Sequence, residues 1–514
     1  MSAVFASFRV FRGQNAVDVD RRERDVRLGM RVWAVVALAL LSAGAGAIDT
    51  RGRGADAKLV AQIDAILEDP GLKGGFQGVV VQSVGDGSVW YQRNPELMFM
   101  PASNMKILTS TAVLNALGPD WRYETMLVRT GTIDDDGTLH GSLYLKGTGD
   151  PLLSAEDLDA MVVQVRGAGI RKVQGKLVGD DTRFDHRRYG RGWPWDNMPS
   201  YYSAPLTGLN LNENVLSLTV DPGKRPGDPL KVAVAPTEKY AKLTIRARTT
   251  EKGTKPALIV TRELGTNEVI VDGTLPVDSR SETRKPVEVT VDDPTEFTLA
   301  CLTDRLNRAG IEMTGGQGAG NAPRQGAVEV ARHTSIPLSE ILLKLNKPSD
   351  NLIAECLLKT LSAEKGKTGE GSAADGAALV KEWLKTAGAD PASVVMADGS
   401  GLSRYNLVSP RTLAAVLKTM ATHSQSRVWT DSLPVAGVDG TLRNRLKGTP
   451  AENNCRAKTG TISNASSLSG YVTTKDSQRL LFVILMNNQP AESDAPRAVQ
   501  DKIVTLLAGW ESGK

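Results

Sequence analysis

The chain has 514 residues, 41% of them hydrophobic and 23% charged, which excludes a disordered, collagen-like or polytopic membrane protein and leaves room for two or three domains. Its net charge of +4 sits mostly at the front, where seven Lys/Arg and four Asp/Glu occur up to Ala47, leaving about +1 for the rest. A body this neutral has no electrostatic case for nucleic acid.

Arg27 and Arg31 precede an uncharged run from Val32 to Ala47 that closes on Ala45-Gly46-Ala47. The run is shorter than the roughly 20 residues of a membrane-spanning helix. Residues 1–47 therefore read as a leader containing a secretory signal, with an uncleaved signal anchor as the alternative. The charged tract Arg21-Arg22-Glu23-Arg24-Asp25 is out of place in a signal, so translation is expected to begin at Met30.

Beyond the leader, helical spacing over 59–67 ends at Asp69-Pro70, and residues 78–91 read as a β-hairpin. Residues 104–117 form a second predicted helix with Leu108, Ala112, Val113 and Leu117 on one side, stopped by Gly118-Pro119. From Trp121 the texture changes to short alternating segments (127–133, 139–145, 172–178, 215–220, 230–234, 243–247, 269–271, 287–291), interrupted by one helix-like stretch at 155–166. Asp134-Asp-Asp-Gly137 reads as a hairpin turn, because no calcium-loop spacing follows it. A Gly-rich stretch at 315–323 reads as a linker.

Helices then return at 338–345, 352–361, 373–387 and 410–421, followed by paired strands at 466–473 and 479–487 and a last helix at 496–510. Residues 364–376 are of low complexity and expected to form a flexible surface loop. The order predicts one helix–sheet domain in two segments, 48–120 and 325–514, split by a β-rich insertion at 121–324 whose inner unit spans about 222–285. Cys301, Cys356 and Cys455 cannot all pair, and read as three small buried residues. His140, His186, His333 and His423 lie far apart, so neither metal nor cofactor is expected.

Three short motifs carry chemistry. Ser103-Asn-Met-Lys106 sets a hydroxyl and an amine one helical turn apart. Such a lysine can take the serine proton if burial and nearby positive charge lower its pKa, and the helix start supplies N–H groups for an oxyanion. Ser349-Asp-Asn351 falls in a break between predicted helices, where it can present a hydroxyl and an amide to a cleft or merely cap the next helix. Lys458-Thr-Gly460 opens a strand-like run, where lysine adds field, threonine can grip a carboxylate and glycine leaves room for substrate. Ser362-Ala-Glu-Lys365 and Lys367-Thr-Gly369 also match two of these patterns, but in the low-complexity stretch. SxxK, SDN and KTG together, in this order, are the set of class A β-lactamases and penicillin-binding proteins.

With Gly149-Asp-Pro-Leu152, Gly192-Trp-Pro-Trp-Asp-Asn-Met198, Asp398-Gly-Ser-Gly-Leu-Ser-Arg-Tyr-Asn406 and Gly437-Val-Asp-Gly-Thr-Leu442, the chain resembles the type-4, DacB-like D-alanyl-D-alanine carboxypeptidase/endopeptidase family of penicillin-binding proteins over about 58–512. The resemblance implies an α/β (α+β) transpeptidase-like domain, an antiparallel sheet flanked by helices and interrupted by β-rich inserted domains. It implies a periplasmic serine peptidase that cuts peptidoglycan stem peptides through an acyl-enzyme and is acylated by β-lactams. Ser103 would be the nucleophile and Lys106 the base, while Ser349 relays a proton to the leaving amine and Asn351 holds the substrate amide. Lys458 would set the field, and Thr459, Gly460 and Thr461 would bind the terminal carboxylate end. The backbone N–H groups of Ser103 and Thr461 would form the oxyanion hole.

An acid, an aromatic and an arginine that approach the diaminopimelate end in this family correspond here to Asn197, Tyr202 and Arg404, with the acid displaced to Asp196. Trp193 and Trp195 read equally well as packing between domains. The competing functions are a serine β-lactamase, which lacks the expected deacylation base after SDN, and a non-catalytic cell-wall-binding protein, which the complete motifs oppose. Peripheral membrane association and homo-oligomerisation stay open at this level.

Overall fold

A computed structural model describes residues 56–280, 285–489 and 494–511. The leader, signal and Met30 start expected in 1–47 lie outside the described residues. The described residues all fall within one unit, which begins at Thr50.

The central feature is a five-stranded antiparallel sheet in the order Val89–Arg93, Phe76–Ser83, Arg479–Asn487, Ala465–Thr473, Arg456–Ile462. Its middle strand shows why both faces are covered. Successive side chains of a strand point to opposite faces, and Leu480 to Met486 are apolar and buried throughout. Leu481, Val483 and Leu485 face a core built with the helices Met105–Leu117, Leu338–Asn346, Asn351–Lys365 and Pro410–Thr422. Leu480, Phe482, Ile484 and Met486 face a second core under the helices Ala57–Leu67 and Ala495–Ala508.

The helix Met105–Leu117 departs from the one-sided pattern expected of it. Met105 through Leu114 are all buried, so the helix is surrounded rather than laid on a surface. Its polar residues survive there by bonding backbone: Thr111 Oγ1 donates to Ile107 O at 2.6 Å, and Thr109 Oγ1 to Gly399 O at 2.7 Å.

The insertion has its own core. Strand Leu143–Lys146, helix Ala155–Gly167 and strand Leu177–Asp180 form a parallel crossover, and helix Pro294–Arg308 leads to Gln317–Ala319, which pairs parallel to Leu177–Asp180. Three further sheets complete it: Lys231–Ala235, Val215–Asp221 and Val287–Thr290; Lys242–Ile245, Glu268–Pro276, Arg248–Thr250 and Ala257–Arg262; and Glu312–Met313, Lys172–Val173, Thr138–His140 and Thr132–Ile133.

Several sequence expectations change here. Helix Pro294–Arg308 lies where only strands were expected, and its start signal is present: Asp293 caps Thr295 N and Glu296 N, and proline takes the first helical position. The supposed linker at 315–323 contains the edge strand Gln317–Ala319. Val328–Thr334 pairs with Glu124–Arg129, so the insertion runs past 324 to Thr334. An inner unit cut at 222 would separate Val215–Asp221 from its partner Lys231–Ala235. The low-complexity stretch is helical only at its two ends, because Asn351–Lys365 continues through the decoy Ser362 and Lys365 and Ala373–Thr386 begins after the irregular residues 366–372. Asp134–Gly137 is a turn between paired strands, and the three cysteines are free and buried.

Truncating Phe482, fully buried in the middle strand, to alanine is expected to cost about 3–5 kcal/mol in urea unfolding. Ile259→Ala, on a strand where the side chain is 61% exposed, is expected to change stability by less than about 0.5 kcal/mol.

Candidate active site

The polypeptide reaches Ser103 through a strained approach. Ala102 adopts φ +48° in the short 3-10 turn Ala102–Asn104 that precedes the long helix, a left-handed conformation unfavourable for a residue with a Cβ. Two glycines explain how this turn is held. A Cβ on Gly401 (φ +88°) would lie 1.8 Å from Ala102 O, and one on Gly460 would lie 2.8 Å from both Pro101 O and Ser103 N. The DGSG loop and the KTG strand thus grip the Ser103 backbone from two directions. Gly460 makes room for the protein's own backbone and also lines the cleft beside Ser103.

Lys106, one turn on, is completely buried. Its Nζ lies 3.0 Å from Ser103 Oγ, 2.6 Å from Asn351 Oδ1 and 2.8 Å from Ser400 O. The last two oxygens can only accept. A neutral amine that donates its two hydrogens to them turns its lone pair toward the Ser103 hydroxyl. Burial pulls the Lys106 pKa down to about 8, against smaller opposing pulls from Asp350, Asp398 and Glu355.

Ser349 occupies the break between its two helices with φ +70°, and Asp350 caps the following helix by accepting from Ile353 N at 2.7 Å. The capping and site-forming readings of this motif are therefore both realised, by different residues. Lys458 Nζ donates to Ser349 Oγ at 2.8 Å and to Thr459 O at 3.0 Å. Burial, and then Lys106, hold Lys458 well below the usual lysine range. Asn104 Nδ2 donates to Lys458 O, tying the serine turn to the KTG strand. Ser103, Ser349, Thr459, Gly460 and Thr461 line one cleft of about 800 Å³.

Sequence reasoning named the DGSG and GVDG stretches without giving their residues a role. Glu355 follows Asn351 by four residues, hence on the same helix face. Its buried carboxylate accepts from Gly399 N and from Ser400 N at 2.7 Å, fixing the peptide whose carbonyl holds Lys106. Burial, and then the neighbouring Asp398, raise the Glu355 pKa to about 7. Asp398 accepts from Gly401 N, Ser403 N, Asn406 Nδ2 and Trp193 Nε1. Thr441 joins Thr459 through its hydroxyl at 2.7 Å. The i,i+4 spacing of Asn351 and Glu355 was the one signal in the sequence for this layer.

The residues expected at the far end of the substrate are not gathered in the cleft. Arg404 Nη1 donates to Ser463 O beside the KTG hairpin turn. Tyr202 meets Asn351 through its backbone carbonyl, which accepts from Asn351 Nδ2 at 2.7 Å. Asp196 and Asn197 lie on the short turn Trp195–Asn197 with no side-chain hydrogen bond among the described residues. Trp193 packs between insertion and catalytic domain, whereas Trp195 is 72% exposed.

A serine with a buried lysine one turn away, a second serine on a second buried lysine and a helix–sheet–helix core define the penicillin-binding class of serine peptidases. The chain belongs to the D-Ala-D-Ala carboxypeptidase 3 (S13) family, whose model matches residues 59–510. It is 40% identical to a D-alanyl-D-alanine carboxypeptidase of Actinomadura sp. (strain R39), over 87% of this chain and 84% of that relative. The solved structure of penicillin binding protein 4 (dacB) from Haemophilus influenzae superposes with a TM-score of 0.76 at 28% identity, covering 87% of this chain and 98% of the other. The same H. influenzae protein complexed with a novel β-lactam matches with a TM-score of 0.70 at 27% identity, over 86% and 98%. The fold is that of penicillin-binding protein 4, and the activity is D-Ala-D-Ala carboxypeptidase hydrolysis.

Two expectations follow. If neutral Lys106 acts as the base, its pKa of about 8 in place of 10.5 makes kcat/KM for D-Ala release rise about tenfold per pH unit below pH ~8 and level off above it; a flat profile from pH 6 to 9 would remove Lys106 from the rate law. Gly401→Ala should reduce D-Ala release by about a hundredfold or more while circular dichroism stays unchanged, because the added Cβ must displace the Ser103 backbone.

Proposed function

We propose that the protein is an exported, periplasmic serine peptidase that trims the terminal D-alanine from peptidoglycan stem peptides and also cuts D-Ala–diaminopimelate cross-links. The observation that carries the reading is the sharing of Lys106 Nζ among Ser103 Oγ, Asn351 Oδ1 and Ser400 O, which aims a lowered-pKa amine at one hydroxyl.

The reaction then runs through an acyl-enzyme. Lys106 takes the Ser103 proton as Oγ attacks the penultimate D-Ala carbonyl carbon. The tetrahedral oxyanion receives hydrogen bonds from the backbone N–H groups of Ser103 and Thr461. Collapse breaks the C–N bond, and the Ser349 hydroxyl, held by Lys458, passes a proton to the departing amine. Water attacks the ester in the second half, returning Ser103 and releasing the shortened peptide. Asn351 holds the substrate amide, and the Thr459 and Thr461 hydroxyls bind the carboxylate of the leaving residue, with buried Lys458 supplying the field. The positions that face the diaminopimelate end in this family correspond to Asn197, with the acid displaced to Asp196, and Tyr202 in the insertion, and to Arg404 just after the DGSG loop. A β-lactam enters as a cyclic amide; its leaving nitrogen stays tethered, so the acyl-enzyme persists.

Fluorescent penicillin should label the wild-type protein and leave Ser103→Ala unlabelled; equal labelling of both, or of neither, would overturn the nucleophile assignment. N-terminal sequencing of the exported protein should show cleavage after Ala47, and retention of Met1 would defeat the export signal.

A further inference from the structure

The cleft that contains Ser103 is much larger than a carboxypeptidase needs. Its volume of about 800 Å³ extends past Thr459 and Thr441 to Arg443, Asn444 and Arg497, and a single departing D-alanine occupies a small part of it. If Thr459 and Thr461 hold the carboxylate of the leaving residue, as proposed above, this extension lies on the leaving-group side.

The charges there are distinctive. Lys347 is committed to Asp439 at 2.6 Å and to Leu433 O, and Arg445 to both oxygens of Asp501. Arg443 is exposed and makes no side-chain hydrogen bond or ion pair among the described residues. Arg497 has only a 3.9 Å approach to Asp494, with half its side chain exposed. Arg443 follows directly on the turn Gly440–Leu442 that carries Thr441, the partner of Thr459. Arg445 Nη2 also donates to Arg497 O, joining that turn to the helix Ala495–Ala508. The exposed Arg443 and the half-exposed Arg497 are thus mounted on one braced wall, one step beyond the carboxylate grip.

We propose that Arg443 and Arg497 form an anion-binding subsite for the leaving group, which takes a peptide bearing further carboxylates beyond the one next to the scissile bond. Guanidinium groups suit this task, because they stay charged and bind carboxylates in a bidentate fashion. The cleft lining carries Lys347, Arg443, Arg445 and Arg497 against the one carboxylate Asp501, and such a net positive wall concentrates an anionic strand near Ser103. The inference rests on the proposed reaction and adds to it the chemistry of the group expelled.

The test compares kcat/KM of the full-length enzyme for a D-Ala-D-Ala pentapeptide monomer and for a D,D-cross-linked peptide dimer. The dimer is used with its leaving-strand carboxylates free or amidated. In the double variant Arg443→Ser/Arg497→Ser the dimer-to-monomer ratio should fall about tenfold, and Arg443→Lys/Arg497→Lys should restore part of it. Amidation should lower the wild-type ratio and leave that of the serine variant unmoved. Raising salt from about 20 to 300 mM should do the same. A ratio identical in wild type and serine variant, or a wild type indifferent to amidation, would overturn the subsite. Failure of the wild type to release D-Ala or to accept fluorescent penicillin would instead overturn the underlying reaction.

Discussion

A lysine with no access to water is the constraint on which this site depends. Lys106 is wholly buried, and an amine there is tolerated only if protein oxygens replace its lost hydration. Those oxygens come from three places: the hydroxyl one turn back, the side chain of Asn351 and the carbonyl of Ser400. The same burial that makes these partners necessary brings the pKa down toward neutrality, so the cost of burying the amine and its fitness as a base have one origin. Each partner must itself be held. Asn351 is held by its capped helix and by Tyr202 O, and Ser400 by Glu355.

The insertion belongs to this support. Trp193 donates into Asp398, the residue around which the DGSG loop is wound, and Tyr202 O receives the other end of the Asn351 amide. Lys359, on the helix that begins at Asn351, donates to Asp185 Oδ1 and Arg187 O. These bonds cross from the insertion to the catalytic domain within the layer just behind the reacting groups. A segment that looks like cargo in chain order therefore sets the position of the SDN amide.

The three motifs were legible because each depends on local chemistry: a one-turn spacing, a break between helices, a strand after a glycine. The middle strands and most helices were legible for the same reason, since hydrophobic period is a short-range property. Much of the insertion was not. Strands such as Glu312–Met313 and Gln317–Ala319 are too short to show a period and exist only because parallel neighbours pair with them. The helix Pro294–Arg308 announced its start with Asp293-Pro294 but was masked by the β-rich sequence around it. Glu355 was present in the sequence as an ordinary helical acid four residues from Asn351, with nothing to mark it as buried.

The sequence by itself determined which nucleophile, amines and hydroxyls exist, their order along the chain and the helix–sheet character of the segments that carry them. The tertiary structure decided which copies of the motifs count. Ser362 and Lys365 satisfy the SxxK pattern, yet Ser362 Oγ is spent on Glu370 O. It also decided that the Lys106 pKa is lowered, because burial outweighs the opposing pulls of Asp350, Asp398 and Glu355, all distant in the chain. Spacing within a motif is fixed by covalent geometry; desolvation and the approach of distant oxygens come only from packing.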